Sequence, residues 1–92
     1  MLIATSTVAN AQRPLKVYIS ADMEGITGVA SVDQLGPANF EYGQARQWMT
    51  ADVLAAIQGA REAGATEFVI SDSHGNGQSL LIDRFPTDIP IT

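Results

Sequence analysis

Residues 15–25 read Leu-Lys-Val-Tyr-Ile-Ser-Ala-Asp-Met-Glu-Gly, a short apolar run that closes on two carboxylates. The run is rich in β-forming residues, and its length is typical of a strand. Asp22 and Glu24 therefore stand where a buried strand leaves a sheet, and burying such a pair costs free energy unless positive charge faces it. No Lys or Arg occurs between Lys16 and Arg46. The sequence favours a bound metal cation as the compensating charge.

A second apolar run lies further along the chain and ends in the same way. Residues 67–71 predict a second strand, and the polar, glycine-rich loop that follows contains His74, the only histidine. Between the two strands, apolar residues recur at spacings of three to five over residues 40–63, which predicts helix. Thr50 followed by Asp52 resembles an internal N-cap, so we expect two helices that meet near Met49 and Thr50.

The order of these elements predicts the fold class. Residues 25–39 show no sustained period and predict a long loop, and residues 79–85 predict a short helix capped by Ser79. Residues 89–92 have the composition of a third strand. We therefore predict an α/β fold, the βαβ start of a mostly parallel sheet. Because a core strand of such a sheet needs neighbours on both sides, we expect a truncated domain, the N-terminal part of a longer protein.

The first residues differ from the remainder of the chain. Residues 1–11 are uncharged and end in Ala-Asn-Ala, the form of a signal-peptidase site, so we interpret them as a possible signal-peptide remnant. A flexible N-terminal extension is the alternative. We expect a periplasmic or secreted protein if the segment is such a remnant and a cytoplasmic one otherwise. Residues 12–92 then belong to the N-terminal part of a single α/β domain, because 92 residues are too few for more than one.

Composition argues against several classes of partner and site. The chain has 10 acidic and 5 basic residues, a net charge of −5, so we expect no nucleic acid partner. We expect no membrane insertion, because no stretch reaches the about 18–20 apolar residues that a bilayer requires. The absence of cysteine excludes disulfides and thiolate metal ligands.

The predicted topology brings the polar residues together. A crossover between parallel strands places both strand ends at one edge of the sheet, where open α/β sheets bind ligands. Asp22 and Glu24 follow the first strand, and Asp72 and His74 follow the second. Residues i and i+2 of extended chain point the same way, so both carboxylates can reach one site while Met23 turns into the core. Carboxylates with one imidazole suit zinc, or less specifically manganese.

Simpler interpretations of the same residues stay open at this point. Asp22 and Glu24 are also compatible with solvated loop acids or a helix cap, and His74 with a loop histidine bonded to a backbone carbonyl. We interpret Asp72 as a turn-forming or supporting residue rather than a direct ligand. The two serines of this loop do not lie in a G-x-S-x-G elbow, so a serine nucleophile is not predicted.

Two motifs carry a resemblance to a known family. Residues 16–28 closely resemble the S-x-D-x-E-G opening of the M55 family of D-aminopeptidases, which are zinc peptidases, and residues 71–75 resemble its D-S-H-G segment. Residues 41–46 and 49–50 are also similar to the family. The resemblance covers residues 15–92. The two motifs are specific together, in this order and at this separation.

The resemblance implies a zinc-dependent aminopeptidase. It implies a centre of two Zn²⁺ ions. Asp22 would be a ligand of both ions, and Glu24 and His74 would be the other protein ligands of the first ion. The implied partners are short peptides with D-amino acids, from which the enzyme releases the N-terminal D-amino acid. A zinc-activated water would attack the polarised carbonyl. We expect the full-length form to be a homo-oligomer.

The chain departs from the family in one respect. The family's further histidine and glutamate ligands and its proposed catalytic histidine lie in the C-terminal portion, and no second histidine is present here. We therefore expect the catalytic residues beyond Thr92. Our hypothesis is that the full-length parent protein hydrolyses D-amino-acid peptides and that these 92 residues alone do not. The alternatives are a non-catalytic or degenerate α/β binding module, or another two-metal hydrolase such as a phosphoesterase.

Overall fold

A computed structural model describes residues 14–92, and the predicted signal-peptide remnant lies outside this part of the chain. Strand β1 (Leu15–Ala21), helix α1 (Tyr42–Glu62) and strand β2 (Ala65–Asp72) follow one another. The two strands pair in parallel, with Ala21 opposite Asp72. The structure therefore confirms the α/β class and the βαβ order predicted from the sequence.

The last residues extend the sheet on the far side of β2. The N–H of Ile70 donates to the carbonyl of Pro90 at 3.0 Å, and the N–H of Thr92 donates to the carbonyl of Ile70 at 2.9 Å. Ile91 thereby forms a parallel bridge with Ile70. Residues 89–92 therefore pair with β2 through a single bridge and do not form the predicted third strand, and the described sheet has two strands.

Helix α1 is continuous, so the prediction of two helices was wrong. Thr50 lies inside the helix and is fully buried, and its hydroxyl accepts the N–H of Leu81 at 3.0 Å. Its side chain thus serves a tertiary contact, not a local cap. The helix ends where the sequence predicted, because Gly64 adopts a positive φ of 109° just beyond it.

The predicted helix over residues 79–85 is also wrong in extent. Only Ile82–Arg84 forms one 3₁₀ turn, and Ser79 is buried upstream of it without capping it. The loop over residues 25–39 is present as predicted and contains a second 3₁₀ turn at Val32–Gln34.

The core lies between one face of the sheet and helix α1. Its fully buried members include Met23, Met49 and Ile70. On the opposite sheet face Tyr18 is exposed, as the alternation of side chains along a strand requires. Within residues 14–92, no helix is both long enough and apolar enough to cross a membrane.

Candidate metal centre

The loops that leave β1 and β2 are bonded to each other. The N–H of Ser73 donates to the carbonyl of Ala21 at 2.8 Å. The Ser73 hydroxyl also lies 2.8 Å from the hydroxyl of Ser20 and 2.9 Å from that of Ser71. The hydroxyls of the loop are therefore engaged in joining the two strand ends. This contact holds the residues after each strand at one edge of the sheet, as the topology predicted.

Asp22, Glu24 and His74 meet at this edge. Nδ1 of His74 lies 3.0 Å from Oδ1 of Asp22 and 3.1 Å from Oε1 of Glu24. One ligand atom from each of the three residues lies within 4.8 Å of the others. Met23 between the carboxylates is fully buried, as predicted, although the chain there turns instead of continuing as a strand, with the N–H of Ile26 donating to the carbonyl of Met23 at 3.1 Å. The structure brings together the three residues that the sequence named.

The cluster is buried on the histidine side and open on the carboxylate side. The His74 side chain is 9% exposed, whereas those of Asp22 and Glu24 are each 59% exposed. The carboxylates line an open cleft of about 360 Å³ together with residues of β1 and α1. A cation held here would have a fixed nitrogen ligand on one side and solvent on the other.

A backbone carbonyl determines which His74 nitrogen carries hydrogen. Nε2 of His74 lies 2.7 Å from the carbonyl oxygen of Leu35. Because a carbonyl only accepts hydrogen bonds, Nε2 must be the donor. Nδ1 of the neutral imidazole then turns a lone pair toward two carboxylates. That arrangement is repulsive unless Nδ1 is protonated or a cation lies among the three groups.

The same contacts displace two pKa values. The Met23 N–H, which donates to Asp22 Oδ1 at 2.8 Å, and the hydrogen bond from His74 lower the pKa of Asp22 below its ordinary 3.8. Burial by itself lowers the pKa of His74, but the hydrogen bond to Leu35 and the two carboxylates outweigh it. The pKa of His74 is therefore raised above 6.5.

These directions predict how the stability of the metal-free chain depends on pH. The raised pKa of His74 contributes stability that is complete below 6.5 and is lost as pH rises through the folded-state value. The lowered pKa of Asp22 contributes stability above 3.8 that is lost at lower pH. We expect the free energy of unfolding from urea titrations to decline as pH rises through the His74 value. The decline should be absent in His74→Gln, and an increase over that range in the unsubstituted chain would contradict the assignment.

The sequence did not identify Gln34 and Leu35. Gln34 is buried and follows Ser31 in an S-x-x-Q pattern, the signature of a capping box, so the sequence did hold a signal for it. Leu35 acts through its backbone carbonyl, a group that every residue has, so the sequence held no signal for it.

Asp72 lies outside the cluster and organises the loop. Its Oδ2 accepts the N–H groups of Ser79 and Leu80, both at 2.7 Å. Its Oδ1 is buried and has no hydrogen-bond partner among residues 14–92. These contacts fit the interpretation of Asp72 as a turn-forming residue.

A family model described as D-aminopeptidase, Peptidase_M55, matches residues 15–91. The chain belongs to the M55 peptidase family. A curated relative, the D-aminopeptidase of Bacillus subtilis (strain 168), is 31% identical over 70 residues, which are 76% of this chain and 26% of the relative.

A solved structure is also similar to this chain in three dimensions. It is the Zn-dependent D-aminopeptidase DppA from Bacillus subtilis, described as a self-compartmentalizing protease, with a TM-score of 0.80 and 28% identity. The match covers 85% of this chain and 28% of that one. The chain thus spans about a quarter of the length of these D-aminopeptidases.

One relative of another enzyme class is also similar. The 3-hexulose-6-phosphate synthase 3 of Staphylococcus saprophyticus is 30% identical over 81 residues, which are 88% of this chain and 38% of the synthase. We draw no functional conclusion from it, because the family model and the solved structure both indicate D-aminopeptidase.

Proposed function

We propose that the chain supplies one arm of the zinc centre of a D-aminopeptidase. Asp22, Glu24 and His74 would be the protein ligands of one Zn²⁺. The parent protein would hold two such ions and release N-terminal D-amino acids from short peptides. The observation that carries the proposal is the Nδ1 atom of His74, which faces two carboxylates at 3.0 and 3.1 Å.

The donor set fits zinc. Ligand atoms about 2.0–2.2 Å from a tetrahedral zinc lie roughly 3.3–3.6 Å from one another, so Nδ1 and the two carboxylate oxygens, now 3.0 and 3.1 Å apart, would separate by a few tenths of an ångström on binding. Nitrogen with carboxylate oxygen is a common zinc combination, and three protein ligands leave a position for water or substrate. The hydrogen bonds of Asp22 to the Met23 N–H and to His74 both use its Oδ1 atom. Its second carboxylate oxygen would therefore let Asp22 serve as a ligand of a second ion as well.

The residues of this chain would hold the metal ion and orient the atoms that bind it. When bound, zinc supplies Lewis-acid activation of water and of the peptide carbonyl. His74 contributes a donor nitrogen whose direction is set by the Leu35 carbonyl, and the buried neighbour Met23 keeps both carboxylates turned to the cleft. The groups that move protons during hydrolysis would come from chain beyond Thr92.

Hydrolysis of peptides by the whole parent protein and by the 92-residue chain tests the proposal. We expect the parent, loaded with zinc, to cleave peptides of the D-Ala-D-Ala type and to leave their L counterparts intact. We expect the chain alone to bind zinc without hydrolysing either peptide. Released amino acid is measured chromatographically, and zinc binding is measured by competition with a chelating dye.

Each arm of this experiment can contradict a different part of the proposal. A parent that cleaves phosphate esters but no D-peptide would be another two-metal hydrolase. A parent that binds peptides without turnover would be a degenerate binding module. A 92-residue chain that cleaves the D-peptide as fast as the Bacillus subtilis relative would show that the expected C-terminal residues are dispensable.

We extend the proposal to assembly on the basis of the solved relative. That protein is described as a self-compartmentalizing protease, and we propose that the parent of this chain likewise associates with its own copies. Exposed apolar side chains at Val32, Phe40 and Ile82 offer surface for such contacts or for the rest of the parent chain. Light scattering of the purified parent measures the assembly, and a monomer would contradict it.

A further inference from the structure

We propose that Gln34 is a positioning residue for the metal centre. It would act by fixing the Leu35 carbonyl, which holds the His74 ring with Nε2 as donor and Nδ1 as metal ligand. This inference rests on the proposed zinc site for its functional meaning, but its structural part concerns the metal-free chain and can be tested alone.

Gln34 is buried within the loop that follows β1. Its Oε1 accepts the N–H groups of Ala30 and Ser31 at 2.6 and 2.8 Å. Its Nε2 donates to the carbonyl of Gly28 at 3.0 Å. The residue is 6% exposed, so the amide is committed to these backbone groups. A buried side chain that satisfies backbone groups on one loop fixes the path of that loop.

The loop path then determines the direction of the Leu35 carbonyl. Gln34 closes the 3₁₀ turn Val32–Gln34 as the fourth member of a capping box, with Ser31 at its start. Leu35 follows directly, and its N–H donates to the carbonyl of Val32 at 3.1 Å. Its own carbonyl lies 2.7 Å from Nε2 of His74. Through the Leu35 carbonyl, the Gln34 side chain in the loop after β1 therefore influences His74, which lies in the loop after β2.

The tautomer of His74 decides whether its Nδ1 atom can bind a metal ion. An imidazole whose Nε2 holds the hydrogen offers only Nδ1 to a cation, and that atom already faces Asp22 and Glu24. Without a fixed acceptor at Nε2, the hydrogen is free to move to Nδ1, where it bonds to a carboxylate and blocks the metal. Hydrogen-bond partners of metal ligands set tautomer and ring orientation in this way.

The test uses Gln34→Ala, with Val32→Ala as the matched control. Val32 lies in the same turn, but the residue is 74% exposed and its side chain takes no part in these hydrogen bonds. In metal-free chain with ¹⁵N-labelled histidine, at a pH below the His74 titration, both ring nitrogens hold hydrogen. We expect the unsubstituted chain and Val32→Ala to exchange the Nε2 hydrogen slowly, because it is bonded to the Leu35 carbonyl. Gln34→Ala should exchange that hydrogen faster, because the carbonyl is no longer held in place. Its zinc dissociation constant should rise about 10–100-fold, against about twofold or less for the control.

A conservative variant keeps the test decisive if Gln34→Ala does not fold. Gln34→Asn keeps an amide but is one methylene shorter and cannot reach all three backbone groups, so we expect a smaller change of exchange and affinity in the same direction. A folded Gln34 variant that matches the unsubstituted chain in both readouts overturns the inference, as does rapid exchange of the Nε2 hydrogen in the unsubstituted chain. Failure of the unsubstituted chain to bind zinc would instead count against the zinc site, while the exchange readout still decides the role of Gln34.

Discussion

His74→Ala is expected to abolish zinc binding by the chain. His74 is its only histidine, and the imidazole is the buried, oriented member of the cluster. Removing it leaves two exposed carboxylates, and a pair of oxygen ligands alone suits magnesium, calcium or manganese better than zinc. Because loss of a mere hydrogen-bond partner of a ligand costs about 10–100-fold in metal affinity, loss of the ligand should cost more than about 100-fold.

Competition with a chelating dye would measure this loss, and circular dichroism would show that the variant is folded. Asp22→Asn and Glu24→Gln should also weaken zinc binding, because each removes a charge that faces the ion. The matched control is Asp83→Asn, which removes an exposed carboxylate from the 3₁₀ turn Ile82–Arg84 and should leave the affinity unchanged. Zinc binding by His74→Ala within tenfold of the unsubstituted chain would place the site elsewhere.

The sequence predicted those parts of the fold that follow from the pattern of neighbouring residues along the chain. β1 and β2 are short runs of β-forming residues, and their parallel pairing follows from the helix between them. From that topology alone, Asp22, Glu24 and His74 had to arrive at one edge of the sheet. The burial of Met23 was also predicted correctly, although it lies in the turn that follows β1 and not in the strand itself. These inferences needed no knowledge of how distant residues pack.

The parts that were missed depend on contacts between distant residues. Thr50 looked like an internal cap, but its hydroxyl bonds the N–H of Leu81, 31 residues away. Ser79 looked like a helix start, but its N–H is taken by Asp72. The Leu35 carbonyl, which orients His74, is a backbone group that every residue type possesses. Local propensity is overridden at each of these positions by a partner that becomes a neighbour only after folding.

Met23→Ala is expected to produce the largest loss of stability among single substitutions near the site. Met23 has no exposed surface and belongs to the core cluster between the sheet and α1. Truncating a buried methionine to alanine removes apolar contacts and leaves a cavity, at a cost of about 2–5 kcal/mol. That is a large share of the free energy of unfolding of a small domain, about 5 kcal/mol at the low end.

The same substitution should also weaken zinc binding, because Met23 anchors the backbone between Asp22 and Glu24, the two proposed carboxylate ligands. Once its side chain no longer fills the core, Asp22 and Glu24 lose the constraint that turns both toward His74. Met23→Leu nearly conserves the volume and should cost less than about 1.5 kcal/mol while keeping zinc affinity, and the exposed Val32→Ala should stay within about 0.5 kcal/mol. Urea titrations measure the stabilities, and zinc titrations of the folded variants measure the affinities. If Met23→Ala lost less than about 1 kcal/mol, or bound zinc as Met23→Leu does, burial of Met23 would not be what aligns the two carboxylates.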